Sequence, residues 1–108
     1  MHDLADYQHF CDSGRESAPP AAIGAELQAL WWARKAEWGR AHQIVQDVET
    51  NAAALVHAHL HRVEGDRENA NYWYARAGES STDVALAIEW ETLTKRLLAQ
   101  ASADSALR

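Results

Sequence analysis

The stretch AAALVHAHLHRVEGDRENANYWYARA, residues 52–77, decides the fold, because IGAELQALWWARKAEWGRAHQIVQDV, residues 23–48, falls onto it at an offset of 29. Ala25 aligns with Ala54, Ala29 with Ala58, Ala36 with Gly65 and Ala41 with Ala70. Leu27 aligns with Val56, Trp31 with Leu60, Trp32 with His61, Val45 with Tyr74 and Val48 with Ala77. An internal repeat of this length, written as helix, turn and helix, is the mark of an α-helical repeat protein.

In the second unit, Thr50 or Asn51 can cap a helix that runs to about residue 64, since either side chain can accept a free first-turn N–H. Val56, Leu60 and Val63 form its apolar face, and Ala54 and Ala58 lie on the reverse. Gly65 is expected to end it in the left-handed conformation that glycine adopts cheaply. The partner helix covers 67–77, with Ala70, Trp73, Tyr74 and Ala77 at helical spacing, and Gly78 stops it. In the first unit, a helix with Pro20 in its first turn runs to about residue 36 and carries Ile23, Leu27, Leu30 and Trp31 on one face. A turn at 37–39 leads to a helix at 39–48 with Ala41, Ile44, Val45 and Val48 inward.

Outside the repeat, residues 3–11 suit a short helix with Leu4, Tyr7 and Phe10 on one side, and 12–20 a loop. A C-terminal helix is expected over about 82–100, with Leu86, Trp90, Leu93 and Leu97 on its main face. Val84 and Ile88 point the other way. No stretch alternates with period two, so no strand is expected. The sequence thus predicts one all-α domain over 1–108: a short helix and loop at 1–19, two stacked antiparallel hairpins at 20–49 and 50–78, a C-terminal packing helix at 79–101, and a frayed tail at 102–108.

The order Ala54, Ala58, Gly65-Asp66, Ala70, Tyr74, Ala77 resembles the tetratricopeptide repeat. There, small residues let the two helices pack closely and a Gly-Asp turn joins them. The resemblance covers about half the chain and implies a protein-binding superhelix. The period of 29 is shorter than the family's usual 34, and two copies are fewer than the three that a stable array needs. The flanking helices would then cover the open faces. Residues 57–78 are also similar to a segment of small microbial proteins, a likeness that brings no activity with it.

With 16 acidic and 10 basic residues the chain has net charge −6. That balance disfavours nucleic acid, whose phosphates need clustered Lys and Arg, and disfavours an anionic membrane surface. No apolar run approaches the ~20 residues needed to span a bilayer. The N-terminal residues are acidic and polar, unlike a secretory signal. The one cysteine, Cys11, cannot close an internal disulfide. These features fit the cytoplasm.

The chemistry-bearing candidates are histidines and aromatics. His57 and His61 stand one helical turn apart and Glu64 follows, so the three share a face. Two imidazoles and a carboxylate can hold a divalent ion, but a set drawn from one helix rarely closes a coordination sphere, and no HExxH motif is present. No metal or other cofactor is assigned on this ground. That face is expected to meet the next helix near Tyr74 and Ala70, with Trp32 at the equivalent position of the first unit. His57, His61, Glu64, Tyr74 and Trp32 are therefore the candidate ligand-binding residues, and no catalytic residue is singled out. His59 points elsewhere. His9 and Cys11 form a second, weaker pair. The charged residues of 62–68 read as a solvated helix end. Trp31 and Trp32 stand about 100° apart on a helix and cannot share a face. Trp31, Tyr72, Val84 and Ile88 are the candidate interface residues.

The expected function is a protein-interaction or self-association module, a homodimer if it pairs with itself, since large exposed apolar patches mark contact sites. The alternative is a small-molecule or metal-binding protein, or an enzyme, built on the His57, His61 and Glu64 face.

Overall fold

The computed structural model describes the backbone of residues 2–106 and the side chains of 6–103. Six helices are present among the described residues and no strand: α1 (His2–Asp12), α2 (Ala25–Arg34), α3 (Trp38–Val45), α4 (Asn51–Val63), α5 (Arg67–Arg76) and α6 (Leu86–Ala106). A single 3₁₀ turn, Ser13–Arg15, follows α1. The protein is all-α. Leu4, expected on the apolar side of the first helix, lies outside the described side chains.

The turns explain the boundaries. Thr50 caps α4 by accepting the Ala53 N–H at 3.0 Å. Gly65 sits at φ +84° and Gly78 at +75°, the left-handed geometry expected of glycine just past a helix. The Gly65 N–H donates to Arg62 O and the Asp66 N–H to His61 O. Gly78 and Glu79 repeat that pattern onto Ala75 and Tyr74. So do Ala36 and Glu37, onto Ala33 and Trp32, with Ala36 forced to φ +62°. Asp66 then caps α5 through the Asn69 N–H.

The tight turns pair α2 with α3 and α4 with α5. α4 is the centre of the molecule: it packs on α2, α3, α5 and α6. Every residue from 53 to 61 is buried, the condition of a helix surrounded on all sides. α6 lies against α1, α2 and α4, and the Trp90 indole N–H donates to Leu30 O at 2.7 Å. Tyr7 and Phe10 of α1 stack at an angle on Trp90.

Several expectations are corrected. The first hairpin helix starts at Ala25, with 18–24 non-helical around Pro20. The last helix begins only at Leu86 and continues to Ala106, so the expected frayed tail is helical as far as it is described. Val84 precedes that helix, and Leu86, expected inward, is exposed. Trp31 is 2% exposed at the heart of the core, which leaves it no area to bury against a protein partner. Its indole N–H donates to Ser13 Oγ and Trp32 packs edge-on against it.

Candidate functional site

Three histidines from two helices converge. His42 lies on α3, and His57 and His61 on α4. One ring nitrogen from each falls within 4.8 Å of the other two. The Nε2 atoms of His42 and His57 are 2.8 Å apart, a hydrogen bond in which one neutral ring donates to the other. The rings of His57 and His61 stack at 5.0 Å.

The surroundings are aromatic. Trp73 of α5 lies parallel to His57 at 3.8 Å, and Trp38 of α3 stacks on His42 at 4.7 Å. The Trp38 indole N–H donates to Leu60 O at 2.6 Å, which ties α3 to α4. Glu64 at the end of α4 takes the Nδ1 side of His61 at 2.8 Å. A neutral His61 held there by its Nδ1–H presents Nε2 as a lone pair. This is the usual way a carboxylate orients a metal-ligating imidazole.

Two of the three rings resist protonation. Burial, then the nearby His42 and His61, push His57 down to about 4. Burial and His61 also lower His42, against a weaker pull from Glu64. The Nδ1 atom of His57 is buried with no hydrogen-bond partner among the protein groups, an uncommon state for a buried polar atom. Neutral, desolvated imidazoles need lose no proton to bind a cation.

The sequence-based site is thus partly rearranged. His57, His61 and Glu64 do come together. Tyr74 does not join them, because α5 turns Trp73 toward the histidines and Tyr74 toward α6. Trp32 is half-buried beside Trp31, with the Arg40 guanidinium over its ring. His9 is exposed, and neither it nor Cys11 enters a metal-capable group among the described residues. Tyr72, Val84 and Ile88 are exposed, Ile88 by 58%.

His42 and Trp38 were missed. Trp38 and His42 stand at i and i+4 with Val45 at i+7, a helical stripe through α3 that shares only Val45 with the expected inner face of Ala41, Ile44, Val45 and Val48. A second polar cluster was missed entirely. Glu89 of α6 is only 6% exposed and receives His59 Nδ1 at 2.6 Å, Arg62 Nη1 at 2.8 Å and the Tyr74 hydroxyl. Arg62 therefore belongs to a buried brace, not to a solvated helix end. Burial pushes Glu89 up, but the hydrogen bonds of His59, Tyr74 and Arg62 and the charge of His59 outweigh it and hold the carboxyl below its ordinary range. Burial, then the adjacent carboxylate, raises Tyr74. Each member of this cluster is engaged by another, so it joins α4, α5 and α6 and offers no vacant donor set.

The chain matches no protein-family model, no curated protein and no solved structure. What the two clusters can do therefore follows from their donors. No described helix is long and apolar enough to cross a membrane.

Proposed function

We propose that this protein binds a divalent transition-metal ion of the zinc class on His42, His57 and His61, with Glu64 orienting His61 from outside the coordination sphere. The observation that carries the proposal is the convergence of three imidazole nitrogens, from two helices, within 4.8 Å. Ligands about 2.0–2.1 Å from a tetrahedral zinc ion lie roughly 3.3 Å apart. The 2.8 Å His42–His57 contact must open slightly, and the wider contacts must close. Three histidines leave a fourth position for water or another ligand. The alternative of a purely structural aromatic stack explains Trp38 and Trp73 but gives no reason for three ring nitrogens to converge on one point.

Titration with cobalt(II) tests this. One equivalent per chain with the intense visible bands of a tetrahedral site is expected. His57→Phe, which preserves the stack on Trp73, should abolish it. A folded protein that takes up no stoichiometric cobalt or zinc would overturn the assignment.

Self-association is a second reading, favoured by the exposed Val63, Val84, Leu86 and Ile88. Arg62 donates to Val84 O at 2.6 Å, and Leu86 lines a groove with Arg62 and Gly65, which brings Val84 and Leu86 beside the end of α4. Sedimentation should show a dimer that Ile88→Lys dissociates. A monomer at high concentration would rule it out.

A further inference from the structure

The cations of this chain are unevenly used. Arg62, Arg67, Lys95 and Arg96 each pair with a carboxylate. Arg15, Arg34, Lys35, Arg40 and Arg76 make no ion pair among the described residues; Arg40 lies over Trp32 and Arg76 over Trp73, while the other three line one cleft between α1, α2 and α6. In a chain with 16 acidic against 10 basic residues, such a gathering runs against composition. No carboxylate lines the cleft. Its remaining walls include Phe10, Trp31 and Trp90. By contrast, the groove beside Trp73 carries Asp47 and Glu49, and the one beside Leu93 carries Glu26.

The cations are held in place yet keep donors to spare. The Arg34 guanidinium lies over the Trp90 ring, 4.6 Å from its centroid, donates to Cys11 Sγ at 3.6 Å and reaches the Tyr7 hydroxyl. Most of its N–H groups are uncommitted. Lys35 Nζ donates to Gly14 O at 2.8 Å and Glu16 O at 3.1 Å. Those bonds fix the ammonium against the 3₁₀ turn, 5.1 Å from the Trp31 centroid, with an N–H remaining.

The geometry points to a binding site for a small aromatic carboxylate, with the carboxylate on Arg34 and Lys35 and the ring against Trp31, Trp90 and Phe10. Arginine's fork matches a carboxylate bidentately, and the apolar walls favour a ring over a hydrated inorganic anion. A volume of about 240 Å³ is smaller than the roughly 300 Å³ at which drug-sized pockets begin, which suits a single ring. The site is separate from the histidine cluster and uses none of its residues.

The test is an NMR titration with benzoate at constant ionic strength, following the indole N–H resonances of Trp31 and Trp90. Benzamide and inorganic phosphate serve as controls. Benzoate should move both resonances saturably, with benzamide and phosphate weaker by about tenfold or more. Arg34→Gln combined with Lys35→Gln should weaken benzoate by at least about tenfold at unchanged helicity, and Arg34→Lys should weaken it less. Absence of a saturable benzoate response overturns the proposal. So does benzamide binding equally, which would mean an apolar cleft only, or phosphate binding equally, which would mean a cationic patch only. If the double variant loses helicity, Lys35→Gln alone, at an exposed position, decides: unchanged benzoate affinity overturns the site.

Discussion

Ala36 is the residue most at odds with its backbone. At φ +62° its Cβ crowds the following carbonyl, a strain of roughly 1–2 kcal/mol for an L-residue. Gly65 and Gly78 occupy the same conformation without that cost. Ala36→Gly should therefore stabilise the protein by about 0.5–1 kcal/mol, less than the full strain because glycine also loosens the unfolded chain. Gly65→Ala should do the reverse by about 1 kcal/mol. An added Cβ at Gly65 meets nothing within 4 Å, so that cost is conformational and not steric. Thermal unfolding reads both changes, as opposite shifts of several degrees; a lowered Tm for Ala36→Gly would refute the strain. The Gly65 turn was legible because glycine after an apolar helical run signals a helix end. The Ala36 turn was not, because alanine announces no positive φ. The backbone bonds onto Ala33 and Trp32 impose it.

At the scale of elements, α4 explains both what the sequence revealed and what it hid. Its Ala, Val and Leu spacing marked a helix, but a two-faced one, with His59 turned away from the histidine pair. Packing on four neighbouring helices buries both faces, so His57 and His61 meet α3 while His59 and Arg62 meet α6. Glu89 is the matching surprise. It stands four residues before Leu93 on the packed side of α6, and single charges in apolar stripes are usually assigned to solvent. Only the three-helix geometry supplies its partners. Glu89→Gln keeps the shape but leaves Arg62, whose side chain is 8% exposed, without its counter-charge. Breaking a buried pair in this way costs about 3–5 kcal/mol. Urea unfolding should show a loss of that order, partly recovered when Arg62→Gln is added, since the two sites are coupled. A loss below about 1 kcal/mol would show the brace to be effectively solvated.

The whole molecule is small enough that α1 and α6 must fold back over the hairpins. Its radius of gyration of 13.3 Å matches the roughly 13 Å of a hundred-residue compact domain. Closure by α6 desolvates the Glu89 cluster, packing of α3 and α5 on α4 desolvates the histidines, and together they make stability depend on acid in two stages. His57 has its folded pKa pushed down to about 4 from an ordinary 6.5. The unfolded chain therefore takes up the proton first. The stability that the neutral ring contributes is complete above 6.5 and drains as pH falls from 6.5 to about 4, by at most about 1.4 kcal/mol per pH unit. His42, lowered in the same direction, adds to that limb. Glu89 acts at lower pH. Its folded pKa lies below the ordinary 4.5, so its contribution is present above 4.5 and is lost as acid protonates it in the folded state. Urea unfolding of the metal-free protein in chelator, followed across pH, should show both limbs. His57→Phe should flatten the upper limb and leave the lower one in place. With zinc present the upper limb should steepen, because protons then also compete for the imidazole lone pairs. Stability unchanged between pH 7 and pH 5 in the chelated wild type would place the histidines in water, and the metal assignment would lose its desolvated, neutral donor set.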